Sequence, residues 1–200
     1  MTGHDSAAEE QRLAAALAAF DADAWDQLFR REYRRIYSYA YVRVGNVSDA
    51  DDIAASVFVE AVRGISRFVF RGLPITSWLL GIAHHETADL LTRRARHASV
   101  SLDEAGGELW RAHGTSAELR ELIEVIATLR PDYRDVLLLR FVQDLSVRDT
   151  AAILARREGA VRLLQFRALQ ALRRAWKRSD ESAAVDRRSN DDPSVQRSNP

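Results

Sequence analysis

The chain has 200 residues, no cysteine, four prolines and nine glycines, and 46% of it is hydrophobic. That length suits one medium domain or two small ones, and the hydrophobic share is too high for a wholly disordered chain. The lack of cysteine excludes disulfide scaffolds, thiol catalysis and cysteine-ligated zinc or iron–sulfur sites. Basic and acidic residues balance at 29 each, but not evenly along the chain. Residues 1–100 carry 12 Arg against 13 Asp and Glu, whereas residues 118–178 carry 13 basic side chains against eight acidic ones. A locally positive stretch asks for an anionic partner. Overall neutrality argues against a protein that coats nucleic acid unaided. No apolar run approaches the roughly 20 residues of a membrane span. The start, MTGHDSAAEEQRL, has no basic segment leading into an apolar core, so a soluble cytoplasmic protein is expected.

Residues 7–20 favour helix by propensity. Residues 24–44 predict a second helix, because Trp25, Leu28, Phe29, Ile36, Tyr37, Ala40, Tyr41 and Val44 recur at spacings of three and four. Gly45 fits its stop. Ser48 offers an N-cap to a third helix, with Asp49, Asp51 and Asp52 at its positive end. That helix carries Ile53, Ala54, Val57, Phe58, Ala61, Val62 and Ile65. Residues 68–74, FVFRGLP, read as a loop. Thr76 or Ser77 is placed to cap a fourth helix, which holds Leu79, Ile82, Ala83, Leu90 and Leu91 on one face and ends in Arg93, Arg94 and Arg96.

Residues 97–117 have small side chains, the pair Gly106–Gly107 and no sustained period, and read as a linker. Helices are predicted at 118–129, from Pro131 through Phe141, at about 146–155 and at 158–176. The tail, 179–200, is rich in Ser, Asn, Asp and Arg and reads as disordered. No strand pattern occurs. The expected architecture is all-α: an N-terminal helix or tail (1–19), a helical domain (20–96), a linker (97–117), a second helical domain (118–178) and the tail.

The sharpest motif is LSVRDTAAILARREGAVRLLQFRALQALRR, residues 145–174. A short helix with Val147, Ala151, Ile153 and Leu154 is followed by a brief break and a second helix with Val161, Leu164, Ala168 and Leu172 inward. Ala151 and Val161 are compact enough for two helices to cross closely, which is helix-turn-helix patterning. The second helix then exposes Arg162, Gln165, Phe166 and Arg167. Arg can bond a guanine edge, Gln can read adenine, and an apolar group can meet a thymine methyl. Arg156, Arg157, Arg173 and Arg174 suit phosphates, which fix register without reading sequence.

On these residues the chain resembles the extracytoplasmic-function sigma factors, the minimal sigma-70 family factors of bacterial RNA polymerase. Residues 130–174 resemble sigma region four; 49–62, DADDIAASVFVEAV, resemble region 2.2; and 70–96 resemble regions 2.3 and 2.4. The resemblance covers about 20–176. It implies a factor that binds core polymerase and recognises −10 and −35 promoter elements, with no cofactor and no catalysis of its own. The polymerase contacts would be the clamp of the largest subunit and the flap of the second-largest. An anti-sigma factor is a further implied partner.

By the same resemblance, Asp49, Asp51, Asp52 and Phe58 belong to the clamp-binding helix. Phe70, Arg71, Trp78, His84, His85, Arg93 and Arg94 would meet the −10 element, and Arg157, Arg162, Gln165, Phe166, Arg167 and Arg173 the −35 element. A base flipped from the −10 element needs a shaped pocket to offset its unstacking. The chain departs from the family pattern at three places. Ala55–Ser56 stands where Gln-Glu is frequent, His85 where Asn is usual, and Ala155 and Arg157 where the turn usually carries Gly and then Ser.

Other readings are a stand-alone helix-turn-helix regulator, which leaves the first hundred residues without a purpose, and an interaction-only protein that occupies polymerase. A metal-dependent hydrolase would start from His85-Glu86-x-x-Asp89, close to the zinc pattern H-E-x-x-H, but the fifth residue is Asp and no third ligand is evident.

Overall fold

The computed structural model describes residues 3–68, 73–97 and 117–190. Helix α1 (Gly3–Ala18) ends in a turn where Phe20 takes φ 56°. Asp21 then caps α2 (Ala22–Val44), its Oδ1 accepting from the Ala24 N–H at 2.9 Å. Gly45, at φ 69°, stops α2 as its pattern predicts, and donates its N–H to the Tyr41 carbonyl at 2.8 Å.

The cap of α3 (Val47–Gly64) is Asn46 rather than Ser48. The Asn46 Oδ1 accepts from the Asp49 N–H at 2.9 Å, which places Ser48 inside the first turn. A 3-10 turn (Ile65–Arg67) leads away, and α4 (Ile75–His97) begins after the loop. Thr76 and Ser77 are not its caps. The Thr76 hydroxyl donates to Glu32 at 2.8 Å, and the Ile75 N–H is met by Glu10 of α1 at 3.0 Å. A carboxylate brought in by the tertiary fold satisfies the helix end and suits its dipole. Leu28, Ile36, Tyr39, Ala54, Val57, Ala61, Ile75, Leu79 and Leu80 form the core of this half.

In the second half, α5 (Ala117–Ala127) leads to α6 (Pro131–Leu137), with Pro131 in the first turn. A π turn (Leu138–Val142) follows, closed by the Gln143 N–H on the Leu138 carbonyl at 2.8 Å. The wide turn buries both Leu138 and Leu139 and swings Phe141 outward to 51% exposure, although an unbroken helical period would place Phe141 inward. Ser146 caps α7 (Val147–Ile153). Helix α8 (Glu158–Asn190) runs beyond residue 178 into the segment whose composition suggested a disordered tail. Residues 179–190 contain no Pro or Gly, and the next helix breaker is Pro193. Val161 and Ala168 are fully buried, Leu164 and Leu172 pack beside them, and Ala151 is buried where α7 meets α8.

The two halves are packed together. Helix α4 touches α7, α2 touches α5, and one apolar cluster runs through both halves. The expected linker falls almost wholly outside the described residues.

Candidate nucleic-acid and polymerase interface

The turn before α8 is made by Ala155 at φ 49°, the left-handed region. The helix-turn-helix geometry thus demands that conformation even of a residue with a Cβ. Arg157 is exposed at the cap position, its carbonyl accepting from the Val161 N–H at 3.1 Å. A guanidinium there cannot accept from the helix N–H groups.

Along α8, Arg162, Phe166 and Arg173 share one exposed line at spacings of four and seven, with Phe166 60% exposed. Arg167 and the exposed Leu163 lie beside that line. Arg162 bonds Glu158 one turn earlier at 3.0 Å, an exposed pair that an anionic ligand can displace. Gln165 is only half-exposed and accepts from Arg140 Nε at 3.0 Å. Reading a base with Gln165 therefore first requires breaking an internal bond.

On the first half, Trp78, Ile82 and His85 share one face of α4. The Trp78 ring meets Phe68 at 4.9 Å between centroids. These residues line an open cleft of about 520 Å³. Phe70 and Arg71 lie outside the described residues. His85 and Arg93 are exposed, as a strand-facing role needs. Arg94 instead is half-buried, bonding the Asp49 carboxylate and the Val44 carbonyl, so it ties α4 to the junction of α2 and α3.

His84 points inward. Its Nδ1 lies 2.9 Å from Arg43 Nη1 and 3.0 Å from the Tyr39 hydroxyl. Arg43 also donates to the Asp135 carboxylate at 2.5 Å, and Arg134 donates to the Arg43 carbonyl at 3.3 Å. Burial above all, then the charge of Arg43 and His85, lowers the His84 pKa to about 4, so the ring is neutral and accepts. Burial pushes the Asp135 carboxyl up, and Arg43 pulls it back. Two turns back along α2, Arg35 donates to the Gln143 side chain at 3.2 Å and to its carbonyl at 2.5 Å, while the Gln143 amide returns a bond to the Arg35 carbonyl. His84 is thus occupied by the seam between the halves rather than turned toward a strand. No spacing in the sequence announces this network, because Arg43 and Asp135 are 92 residues apart.

On α3, Asp52 is exposed and lines a small groove with Glu86 and Arg93. Asp51 accepts from the Tyr33 hydroxyl at 2.9 Å; burial first, then that carboxylate, pushes the Tyr33 pKa up to about 12. Phe58 is buried, its ring 4.8 Å from Phe29. The surface is supplied by its neighbours Phe29, Val59 and Val62, large apolar groups left in water. Phe29 and Val62 fit the inward stripes of their helices by spacing, but nothing covers them among the described residues. Among those residues, no three His, Asp or Glu side chains converge as metal ligands, and no helix is long and apolar enough to cross a membrane.

Comparison with known proteins agrees with this geometry. The Sigma-70 region 2 family matches residues 28–97, and the Sigma-70, region 4 family matches residues 119–172. The ECF RNA polymerase sigma factor BldN of Streptomyces coelicolor is 30% identical over 166 residues, 78% of this chain and 61% of BldN, so the match spans less than two thirds of that relative. The ECF RNA polymerase sigma factor SigD of Mycobacterium tuberculosis is 31% identical over 179 residues, 82% of this chain and 83% of SigD. Among solved structures, CnrH in complex with the cytosolic domain of CnrY shares the fold at a TM-score of 0.62 and 24% identity, over 88% of this chain and 97% of that one. With region 2 on α2–α4, region 4 on α5–α8 and relatives that share both, the chain belongs to the sigma-70 family, among its extracytoplasmic-function sigma factors.

Proposed function

We propose that this sigma factor binds core RNA polymerase in the cytoplasm and directs it to promoters with defined −10 and −35 elements. The observation that carries the reading is the exposed line Arg162–Phe166–Arg173 on the second helix of a helix-turn-helix, joined to a region 2 half with its own aromatic cleft. Arg162, Phe166 and Arg167 read −35 bases, and Arg157 and Arg173 hold phosphates. Trp78, His85 and Arg93, with Phe70 and Arg71 of the loop, meet the −10 strand. Asp52, Phe29, Val59 and Val62 form the polymerase-facing surface of α2 and α3. Asp49 and Phe58 support it from within, and Asp51 is held by Tyr33. A stand-alone regulator would use α7 and α8 but leave the region 2 half idle. An anti-sigma partner fits the reading; CnrH was solved with the cytosolic domain of CnrY.

The test is run-off transcription with purified core polymerase, followed by mapping of start sites. Start sites sharing −10 and −35 sequences are expected. The free chain should bind promoter DNA weakly, because few phosphates are neutralised. Absence of initiation, or nanomolar promoter binding without polymerase at physiological salt, overturns the reading.

A further inference from the structure

Helix α8 buries Val161, Ala168 and Ala175 along one side. The stripe opposite them is Gly159, Leu163, Phe166 and Gln170, at spacings of four, three and four, and all four residues are exposed. Leu163 is 50% exposed and Phe166 60%. A Cβ added at Gly159 would meet nothing within 4 Å, so the face is open from the first turn of the helix. From Gly159 to Phe166 the stripe therefore presents no side-chain donor or acceptor. The polar groups stand beside it. Arg162 and Arg167 flank the stripe on its two sides, Arg162 is turned back onto Glu158, and Gln165 is held by Arg140.

Two large apolar side chains left in water one turn apart ask for an apolar partner. On the second helix of a helix-turn-helix, the N-terminal turns are the part that enters the major groove. Guanidinium groups on both sides of the stripe suit the phosphates that border that groove. The apolar group that the groove itself offers is the C5 methyl of thymine. At 1.5 Å per residue, Leu163 and Phe166 stand about 4.5 Å apart along the axis. Successive base pairs are about 3.4 Å apart, so the two side chains reach neighbouring pairs. Over a G·C pair they would cover the guanine acceptors and the cytosine amino group with nothing to bond, and those groups would lose their water.

We infer that Leu163 and Phe166 read the methyl groups of thymines on two adjacent A·T pairs of the −35 element, so that the centre of this element is selected by apolar contact and its margins by Arg162 and Arg167. The inference deepens the promoter reading above and rests on it. It makes Leu163 a specificity-determining residue and names the base that the stripe takes.

Deoxyuridine, which is thymidine without the methyl group, tests this on the complex of the full chain with core polymerase. In a promoter obtained by start-site mapping, each −35 thymine on either strand is replaced in turn by deoxyuridine. Affinity should fall about four-fold at two neighbouring positions, as the loss of one buried methyl group at each predicts. Phe166→Ala should bind the thymine promoter several-fold more weakly and lose the response at one of these positions, and Leu163→Ala at the other. Phe166→Leu keeps an apolar group and should keep the response. Arg173→Ala should weaken binding and leave both responses intact. Both stripe residues are exposed, so the variants should melt with the native chain. The inference is overturned if deoxyuridine is tolerated at every −35 position, or if both responses persist in both alanine variants. A free chain that sediments as a dimer, which Phe166→Ala dissolves, with no response to deoxyuridine, would give the stripe to a second copy and overturn it as well. Start sites that share a −35 element but ignore deoxyuridine would leave the promoter reading standing, whereas absence of any initiation would overturn both.

Discussion

Arg94 and Asp49 form an ion pair that ties the C-terminal part of α4 to the first turn of α3, with the two side chains 24% and 21% exposed. The same guanidinium reaches the Val44 carbonyl at the end of α2. Three helices therefore share one cation. Arg94→Ala should cost about 1–2 kcal/mol, between the values of exposed and buried pairs. A double-mutant cycle with Asp49→Asn should show coupling. Arg93→Ala should leave stability alone and weaken binding of a −10 strand, most strongly at low salt. A loss of strand binding in Arg94→Ala with no change in melting temperature would make Arg94 a strand contact instead.

The turn before α8 should be improvable. Ala155 at φ 49° carries the cost of a left-handed residue with a Cβ, and Ala155→Gly should raise stability by about 1 kcal/mol. Arg157→Ser supplies the missing cap and should add roughly 0.5–2 kcal/mol. It should also weaken promoter binding by the polymerase complex in a salt-dependent manner if Arg157 holds a phosphate. Melting curves and promoter affinity on the same protein test both statements. A less stable mutant, or unchanged affinity at every salt concentration, contradicts the assignment.

On the proposed assignment, base reading and phosphate holding separate on α8. Arg162→Ala and Arg167→Ala should each cost roughly 1–3 kcal/mol on the matched −35 sequence and much less on a scrambled one. Arg173→Ala should weaken both alike. Gln165→Ala should matter less than either, because Gln165 is held by Arg140. Equal losses for Arg162, Arg167 and Arg173 on matched and scrambled elements would refute the division.

The seam between the halves should respond to acid through His84. The ring is faced by Tyr39 and Arg43 from α2 and by Asp135 from α6, with His85 beside it on α4. In the packed state its pKa is about 4, against an ordinary 6.5 once rehydrated. Between those values the parted state binds more protons, so packing is fully favoured above about pH 6.5 and is lost progressively as pH falls toward 4. Fluorescence transfer between labels at Arg30→Cys and Lys177→Cys should report separation on acidification. His84→Gln removes this contribution and leaves that of Asp135, so the two profiles should differ over that interval. Identical profiles would show that His84 does not drive the response.

Much of the fold was legible because helices announce their buried faces locally. Val161, Ala168, Leu79 and Ala83 stand inward where their spacing places them. The helix-turn-helix was legible for the same reason, together with the Arg-rich outer face of α8. Caps were less so. Ser48 and Asn46 are both good cap residues two positions apart, and α4 takes its cap from Glu10, 65 residues away. His84 and His85 are neighbours of one type on one helix. Only the position of α2 and α6 decides that one is held half-buried in the seam and the other exposed.

The π turn at Leu138–Val142 sets the angular phase of everything after it. It holds one more residue than an α turn, so the chain leaves it rotated by about a third of a turn from where an uninterrupted helix would point. Gln143, which meets Arg35, stands at the end of that turn. Deleting Phe141, the residue the wide turn pushes into water, would return the backbone to α register while keeping Leu138 and Leu139. Each half would keep its own core, but Gln143 and the start of α7 would face a different direction. The relative aim of the two surfaces proposed to read DNA is thus stored in the count of residues in a single turn.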